Sequence, residues 1–343
     1  MAKPNYSPEM LAVLAPLAEA MASLPQAAVG DVEARRARTM AMFGQFLTAY
    51  QTPPGVSTTV HWATAKDGHR IEIHEYSATD KSAESSTRSG SQAGPTSQAA
   101  PPSRARPAYL HIHGGGLILG SIHDSSKSMA TLSAETGLSF FTVEYRLAPE
   151  HPFPTPVEDC FVALQWMHDN ASSLGIDTSR VGIIGESAGG GLGACLALLA
   201  RDRGVSPPVA KQVLVYPMLD HRTSAPLKGT EGLLTWSAED NVTGWGAYLG
   251  SRNGPQAAEQ VSPYASAARS EDLSGLPKTY IDVGSVDLFR DEDIEYAGRL
   301  AKSGVEVELH VYPGLPHAFE LLGPEMRATK QAMVNRRTAL LDI

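Results

Sequence analysis

The chain has 343 residues, of which 42% are hydrophobic and 19% charged, and its formal net charge is −9. That composition is ordinary for a soluble globular protein, and the absence of a basic stripe argues against nucleic acid as a partner. Cys160 and Cys195 are the only cysteines. They are too few for a disulfide framework and lack metal-ligand spacing, so two buried, reduced thiols and no metal are expected.

The predicted elements begin at Ser7-Pro8-Glu9, which reads as a helix cap, a first-turn proline and a first-turn acid. Met10, Leu14, Leu17, Met21 and Leu24 then form one apolar helical stripe. Pro16 inside it predicts a kink or two short helices. Gly30-Asp31 opens a second helix with Val32, Arg36, Met40, Phe43, Leu47 and Tyr50 on one side, stopped by Pro53-Pro54-Gly55. Two helices ahead of the first strand lie outside any sheet. Residues 1–55 are therefore expected to cap the site or to form a partner interface, as in a homodimer. No basic and apolar leader is visible, and no run of about 18 apolar residues occurs, so a cytoplasmic protein without a membrane span is expected.

Residues 56–65 and 69–77 read as a hairpin turned by Lys66-Asp67-Gly68. Residues 78–107 are rich in Ser, Thr, Gly, Gln, Ala and Pro without an apolar period, and read as a disordered insertion within a core segment 56–217. Strands then alternate with helices. The strand 108–112 runs into His113-Gly114-Gly115-Gly116. A helix at 125–137 and a strand at 139–144 follow, then the proline-stiffened stretch from Tyr145 to Pro154 and a helix marked by Val157, Phe161, Leu164 and Met167. The strand 180–184 leads into Gly185-Glu186-Ser187-Ala188-Gly189 and a helix, and 212–216 is the next strand. Residues 218–262 break the alternation and carry Trp236, Trp245 and Tyr248. They read as a second cap segment whose aromatics either line a substrate pocket or fill the segment's own core. The pattern returns over 263–343 with strands at 278–283 and 305–312 and helices at 290–303 and 326–341. Eight strands in such alternation predict an α/β fold with a mainly parallel sheet covered on both faces.

Chemistry enters at Ser187. A serine between glycines on a strand-to-helix turn is lifted clear of the sheet, and the helix start behind it directs free N–H groups and a partial positive charge toward an oxyanion. Such a serine needs a base and the base needs an orienting acid. Asp287 and His317 follow the last two strands in the order Ser, Asp, His, at the sheet edge where the serine points. Asp282 falls within a strand, while Asp291, Glu292 and Asp293 open a helix where acids suit the dipole. Glu186 reads as a structural carboxylate, His111 as a strand residue and His113 as a brace for the glycine loop. Two or more N–H donors complete an oxyanion hole, and Ala188, Gly115 and Gly116 are the candidates.

The chain resembles the hormone-sensitive-lipase-like α/β-hydrolases, the esterase and lipase group with an HGGG loop. The resemblance rests on His113 to Gly116, Tyr145-Arg146-Leu147-Ala148-Pro149-Glu150, Gly185 to Gly190, Asp287-Leu288-Phe289-Arg290-Asp291-Glu292 and His317-Ala318-Phe319. Gly191, Glu186, Leu288 and Ala318 depart from residues common in that family, and none of them replaces a catalytic group. The resemblance implies an α/β-hydrolase fold with a helical cap, no cofactor, and hydrolysis of short- to medium-acyl carboxylic esters or an acylated small metabolite. An amidase or N-deacylase and an acyltransferase would use the same triad. A non-catalytic ligand receptor would be expected to have lost part of it.

Overall fold

A computed structural model describes residues 6–23, 27–43, 52–79, 105–225, 235–250 and 261–343. The expectations for Leu24, Leu47, Tyr50, most of the 78–107 insertion and parts of the 218–262 segment lie outside these residues.

Eight strands form one sheet: β1 Val56–Thr64, β2 Arg70–Ala78, β3 Arg106–Ile112, β4 Ser139–Val143, β5 Ile176–Glu186, β6 Lys211–Val215, β7 Lys278–Gly284 and β8 Val307–Tyr312. Their spatial order is β1-β2-β4-β3-β5-β6-β7-β8. β2 is antiparallel to both neighbours, and every pairing from β4 to β8 is parallel. Gly68 has φ 84°, the left-handed turn that the β1–β2 hairpin needs. The central strands are buried on both faces, which is why they read as continuous apolar runs and not as alternating ones.

The helices are α1 Pro8–Ser23, α2 Val32–Phe43, α3 Ile122–Thr136, α4 Thr155–Asp169, α5 Ala171–Leu174, α6 Ala188–Asp202, α7 Ala238–Leu249, α8 Arg290–Lys302, α9 Phe319–Leu322 and α10 Arg327–Leu341. They divide between the two faces. Val157 and Leu164 of α4, Leu192 and Leu196 of α6, and Tyr296 and Leu300 of α8 share one apolar cluster. Met10 and Leu14 of α1, Met129 and Leu132 of α3, and Leu340 of α10 share the other. Cys160 and Cys195 are free and buried in the first cluster, and burial pushes the Cys195 thiol up to about 12.

α1 runs as one helix through Pro16, whose ring lies exposed, so of a kink or two short helices the second is ruled out. Three boundaries or faces differ from the sequence reading. α2 starts as expected, with Asp31 Oδ1 accepting the Ala34 N–H at 2.9 Å, but it buries Val32 and Arg35 and leaves Met40 61% exposed. α3 starts at Ile122, because the Ile122 N–H donates to Glu144 Oε2 at 2.7 Å and no local residue supplies that acceptor. β3 starts at Arg106, whose N–H donates to Gly175 O at 2.9 Å beside the early start of β5.

One buried ionic group ties α10 to the sheet. Arg336 donates from Nε and Nη2 to Asp282 of β7 at 2.7 and 3.0 Å, and from Nη1 to Glu320 of α9 at 2.9 Å. Tyr216 OH donates to the same Glu320 oxygen, and the guanidinium lies over the Tyr216 ring at 5.5 Å. Burial opposes the charge, but Asp282 and then Glu320 hold the guanidinium well above its ordinary pKa. Arg336→Met leaves buried Asp282 and partly buried Glu320 without their cation. It is expected to lower unfolding free energy by about 3–5 kcal/mol, read from the urea midpoint.

Candidate active site

β5 ends at Glu186 and α6 begins at Ala188, so Ser187 is the whole of the turn between them. Its φ of 55° and ψ of −119° lie where a residue with a side chain is strained by about 1–3 kcal/mol. The neighbouring backbone holds it there. The Ser187 N–H donates to Val215 O at 2.9 Å, and its carbonyl accepts from Gly191 N and Met218 N, both at 2.9 Å. The crossing tolerates no side chain at two positions. A β carbon on Gly185 would enter the backbone of Gly189, and one on Gly189 would enter the carbonyls of Ile112 and His113.

His317 comes from the loop after β8 and Asp287 from the loop after β7. His317 Nε2 lies 2.9 Å from Ser187 Oγ, and Nδ1 lies 2.8 Å from Asp287 Oδ2. A carboxylate only accepts, so Nδ1 carries the proton toward Asp287 and Nε2 offers its lone pair to the serine hydroxyl. The second Asp287 oxygen accepts the Phe289 N–H at 2.9 Å. Tyr216 and Phe289 stand edge-on to the imidazole at 4.5 and 5.1 Å, and Thr235 Oγ1 donates to His317 O at 2.7 Å. Asp287 is fully buried, whereas Ser187 and His317 keep a narrow exposed face.

The glycine run lies beside the serine. Gly114 packs against the Glu186 carbonyl and the Ser187 β carbon. Gly115 and Gly116 have φ of 121° and 58°. Among the described residues, no acceptor takes the N–H of Gly115, Gly116 or Ala188. His113 braces the run: its Nδ1–H donates to Gly114 O at 2.8 Å, and its ring stacks on Tyr145 at 4.2 Å. Tyr145 OH returns a bond to His113 O at 2.9 Å. Burial pushes the His113 imidazole down to about 4, so it stays neutral and holds the loop as a hydrogen-bond donor.

Residues 109–321 match the model of a family described by the α/β-hydrolase fold. Esterase LipI of Mycobacterium tuberculosis is 32% identical over 249 residues, covering 68% of this chain and 73% of that protein. An arylesterase of Saccharolobus solfataricus is 35% identical over 235 residues, covering 68% and 74%. A bacterial heroin esterase superposes with a TM-score of 0.81 at 36% identity, covering 100% of this chain and 99% of that one. The chain belongs to the hormone-sensitive-lipase-like α/β-hydrolase family. It is a carboxylesterase-like serine hydrolase.

Within this α/β-hydrolase most of the other acids and histidines named from the sequence have structural partners. Asp293 is the exception, for it is fully buried instead of facing the solvent at the start of α8, and its carboxylate has no hydrogen-bond partner among the described residues. His111 Nε2 and Glu186 Oε2 pair at 2.8 Å, with Thr142 on the other ring nitrogen at 3.2 Å. Burial opposes the Glu186 charge, but His111 beside it holds the carboxyl below the usual carboxylate range. Asp282 is taken by Arg336. Asp291 is exposed at the start of α8, as a dipole partner should be. Glu292 is not: it is buried and accepts from Leu219 N at 2.6 Å, Asp220 N at 3.2 Å and the Thr223 hydroxyl. Burial pushes it up to about 8. Its role is to tie α8 to the turn after β6, which helix position alone does not reveal.

The three aromatics separate. Trp236 lies with its ring against Gly116, where a β carbon would strike it, and its indole N–H donates to Asn241 Oδ1 at 3.2 Å. Trp245 and Tyr248 are buried in the main apolar cluster, Tyr248 edge-on to Phe153 at 5.9 Å. Tyr216 and Thr235, which touch His317, carry no spacing signal in the sequence. A groove of about 560 Å³ lined by Ala63, Asp67, Arg146, Phe161 and Trp166 contains none of Ser187, Asp287 and His317. Among the described residues, no helix is long and apolar enough to cross a membrane.

Proposed function

We propose that this hydrolase cleaves carboxylic esters of short to medium acyl length, or an acylated small metabolite, with Ser187 as nucleophile. The observation that carries the reading is the unbroken chain from Ser187 Oγ through His317 to Asp287, beside three N–H groups without acceptors among the described residues. His317 Nε2 takes the serine proton as Oγ bonds to the ester carbonyl carbon. The carbonyl oxygen becomes an oxyanion held by the N–H groups of Gly115, Gly116 and Ala188. His317 then gives its proton to the leaving alcohol. Water repeats the sequence on the acyl-enzyme, releasing the acid and restoring Ser187. Asp287 stays ionised and stabilises the imidazolium at each step. Residues 1–55 and 218–262 act as the cap, and Trp236 forms the wall of the acyl site next to the glycine run. Trp245 and Tyr248 shape that wall from behind.

The test is turnover of p-nitrophenyl esters from acetate to palmitate, with the matched p-nitroanilides alongside. Highest kcat/KM is expected on acetate to octanoate, falling steeply toward palmitate. No turnover of any ester would overturn the proposal, and faster cleavage of the anilides would replace the esterase by the amidase.

A further inference from the structure

The glycine run is held from outside the sheet as well as from within it. Arg36 of α2 donates from Nε to Ile118 O at 2.7 Å and from Nη2 to Ala148 O at 3.1 Å. Its Nη1 and Nη2 also grip both oxygens of Glu150 at 2.7 and 2.9 Å. Ile118 lies in the tight turn closed by its own N–H on Gly115 O, so the Arg36 bond falls on the backbone that carries two of the three free donors. The second side of the loop meets α7. Gly244 packs so closely on Gly116 that a β carbon there would enter the Gly116 carbonyl, and Trp236 covers the same residue.

α2 and α7 are themselves joined. Buried Arg35 donates from Nε to Thr243 Oγ1 at 2.8 Å, pairs with Asp240, and bonds the carbonyls of Ala27 and Ala28 at 3.3 Å each. The Gly30 N–H reaches the same Thr243 oxygen at 3.0 Å. The glycine run thus sits in a clamp whose two jaws are locked together by one arginine and whose grip on the Ile118 carbonyl is the next.

We propose that Arg36 is a positioning residue for ester hydrolysis: by fixing the Ile118 and Ala148 carbonyls it aims the Gly115 and Gly116 N–H groups, so that the N-terminal helices complete the oxyanion hole besides covering the substrate. This rests on the esterase reading above. The Glu150 pairing is half exposed and contributes little by itself. The carbonyl bonds are what matter, because a misaimed donor loses most of its value to the transition state and almost none to ground-state binding.

The experiment compares wild type, Arg36→Met and Glu150→Gln in the full chain. Active sites are counted by burst titration, so that kcat is per competent site. Arg36→Met is expected to lower kcat about tenfold with KM nearly unchanged, a fraction of the 10²–10³ lost with a whole donor. Affinity for an alkyl trifluoromethyl ketone, whose hemiketal oxygen occupies the hole, falls by the same factor, while inhibition by the product acid does not move. Amide hydrogen exchange over residues 114–119 becomes faster. Glu150→Gln, which keeps the carbonyl bonds, loses about twofold or less. Unchanged exchange in the loop, or a kcat loss explained entirely by fewer titrated sites, would overturn the clamp. Wild type that neither turns over an ester nor binds the ketone would instead sink the esterase reading, and the exchange data would still decide whether Arg36 orders the loop.

Discussion

Ser187→Ala is expected to lower kcat on p-nitrophenyl butyrate by about 10⁶-fold with little change in folding. Among the described residues the side chain makes one hydrogen bond, to His317, while the bonds that hold the strained turn come from the backbone. Alanine keeps the β carbon against which Gly114 packs, so the turn and the glycine run retain their shape. What remains is catalysis by the oxyanion donors acting on a bound ester and water. Because the triad acts as one unit, adding His317→Ala to Ser187→Ala should cost almost nothing further. Near-additive losses in the double variant, or residual turnover within tenfold of wild type, would contradict the assignment.

Asp287→Asn is expected to lower kcat by about 10⁴-fold. The reason is the tautomer, and the structure fixes its direction. One oxygen of Asp287 accepts from the Phe289 N–H and the other faces His317 Nδ1. An asparagine keeps the first bond only with its carbonyl oxygen toward Phe289, which turns its NH₂ toward the histidine. Nδ1 must then accept, the ring proton moves to Nε2, and the serine hydroxyl has no base. Side-chain volume and packing are preserved, so the thermal midpoint should move far less than the rate. Retention of a tenth of wild-type kcat by this variant would remove Asp287 from the mechanism and reopen the choice among the neighbouring acids.

Much of this was legible because the relevant physics is local. Glycines at 185 and 189 announce a backbone crossing, and the order of Ser187, Asp287 and His317 follows from elements readable one at a time. The sheet order was less accessible. β3 lies beyond β4 from β2, and β2 runs antiparallel to both of its neighbours, which periodicity does not encode. The arginines of α2 show the limit most clearly. An apolar stripe placed Met40 on the packed side, yet Arg35 is buried and Met40 is exposed, because the partners of Arg35 lie more than two hundred positions away on α7. Glu292 shows the same limit: helix position assigns it to the dipole, and its acceptor role toward residues 219–223 exists only after α8 docks. Trp236, Trp245 and Tyr248 form one aromatic group in sequence, and only the position of Gly116 separates the first from the other two.

The most direct test of the central claim is covalent trapping. Wild type treated with diethyl p-nitrophenyl phosphate should take up one diethylphosphoryl group per chain, with esterase activity lost in proportion. Peptide mass spectrometry should place that group on Ser187. A label on another residue, or esterase activity that survives complete labelling of Ser187, would contradict the account.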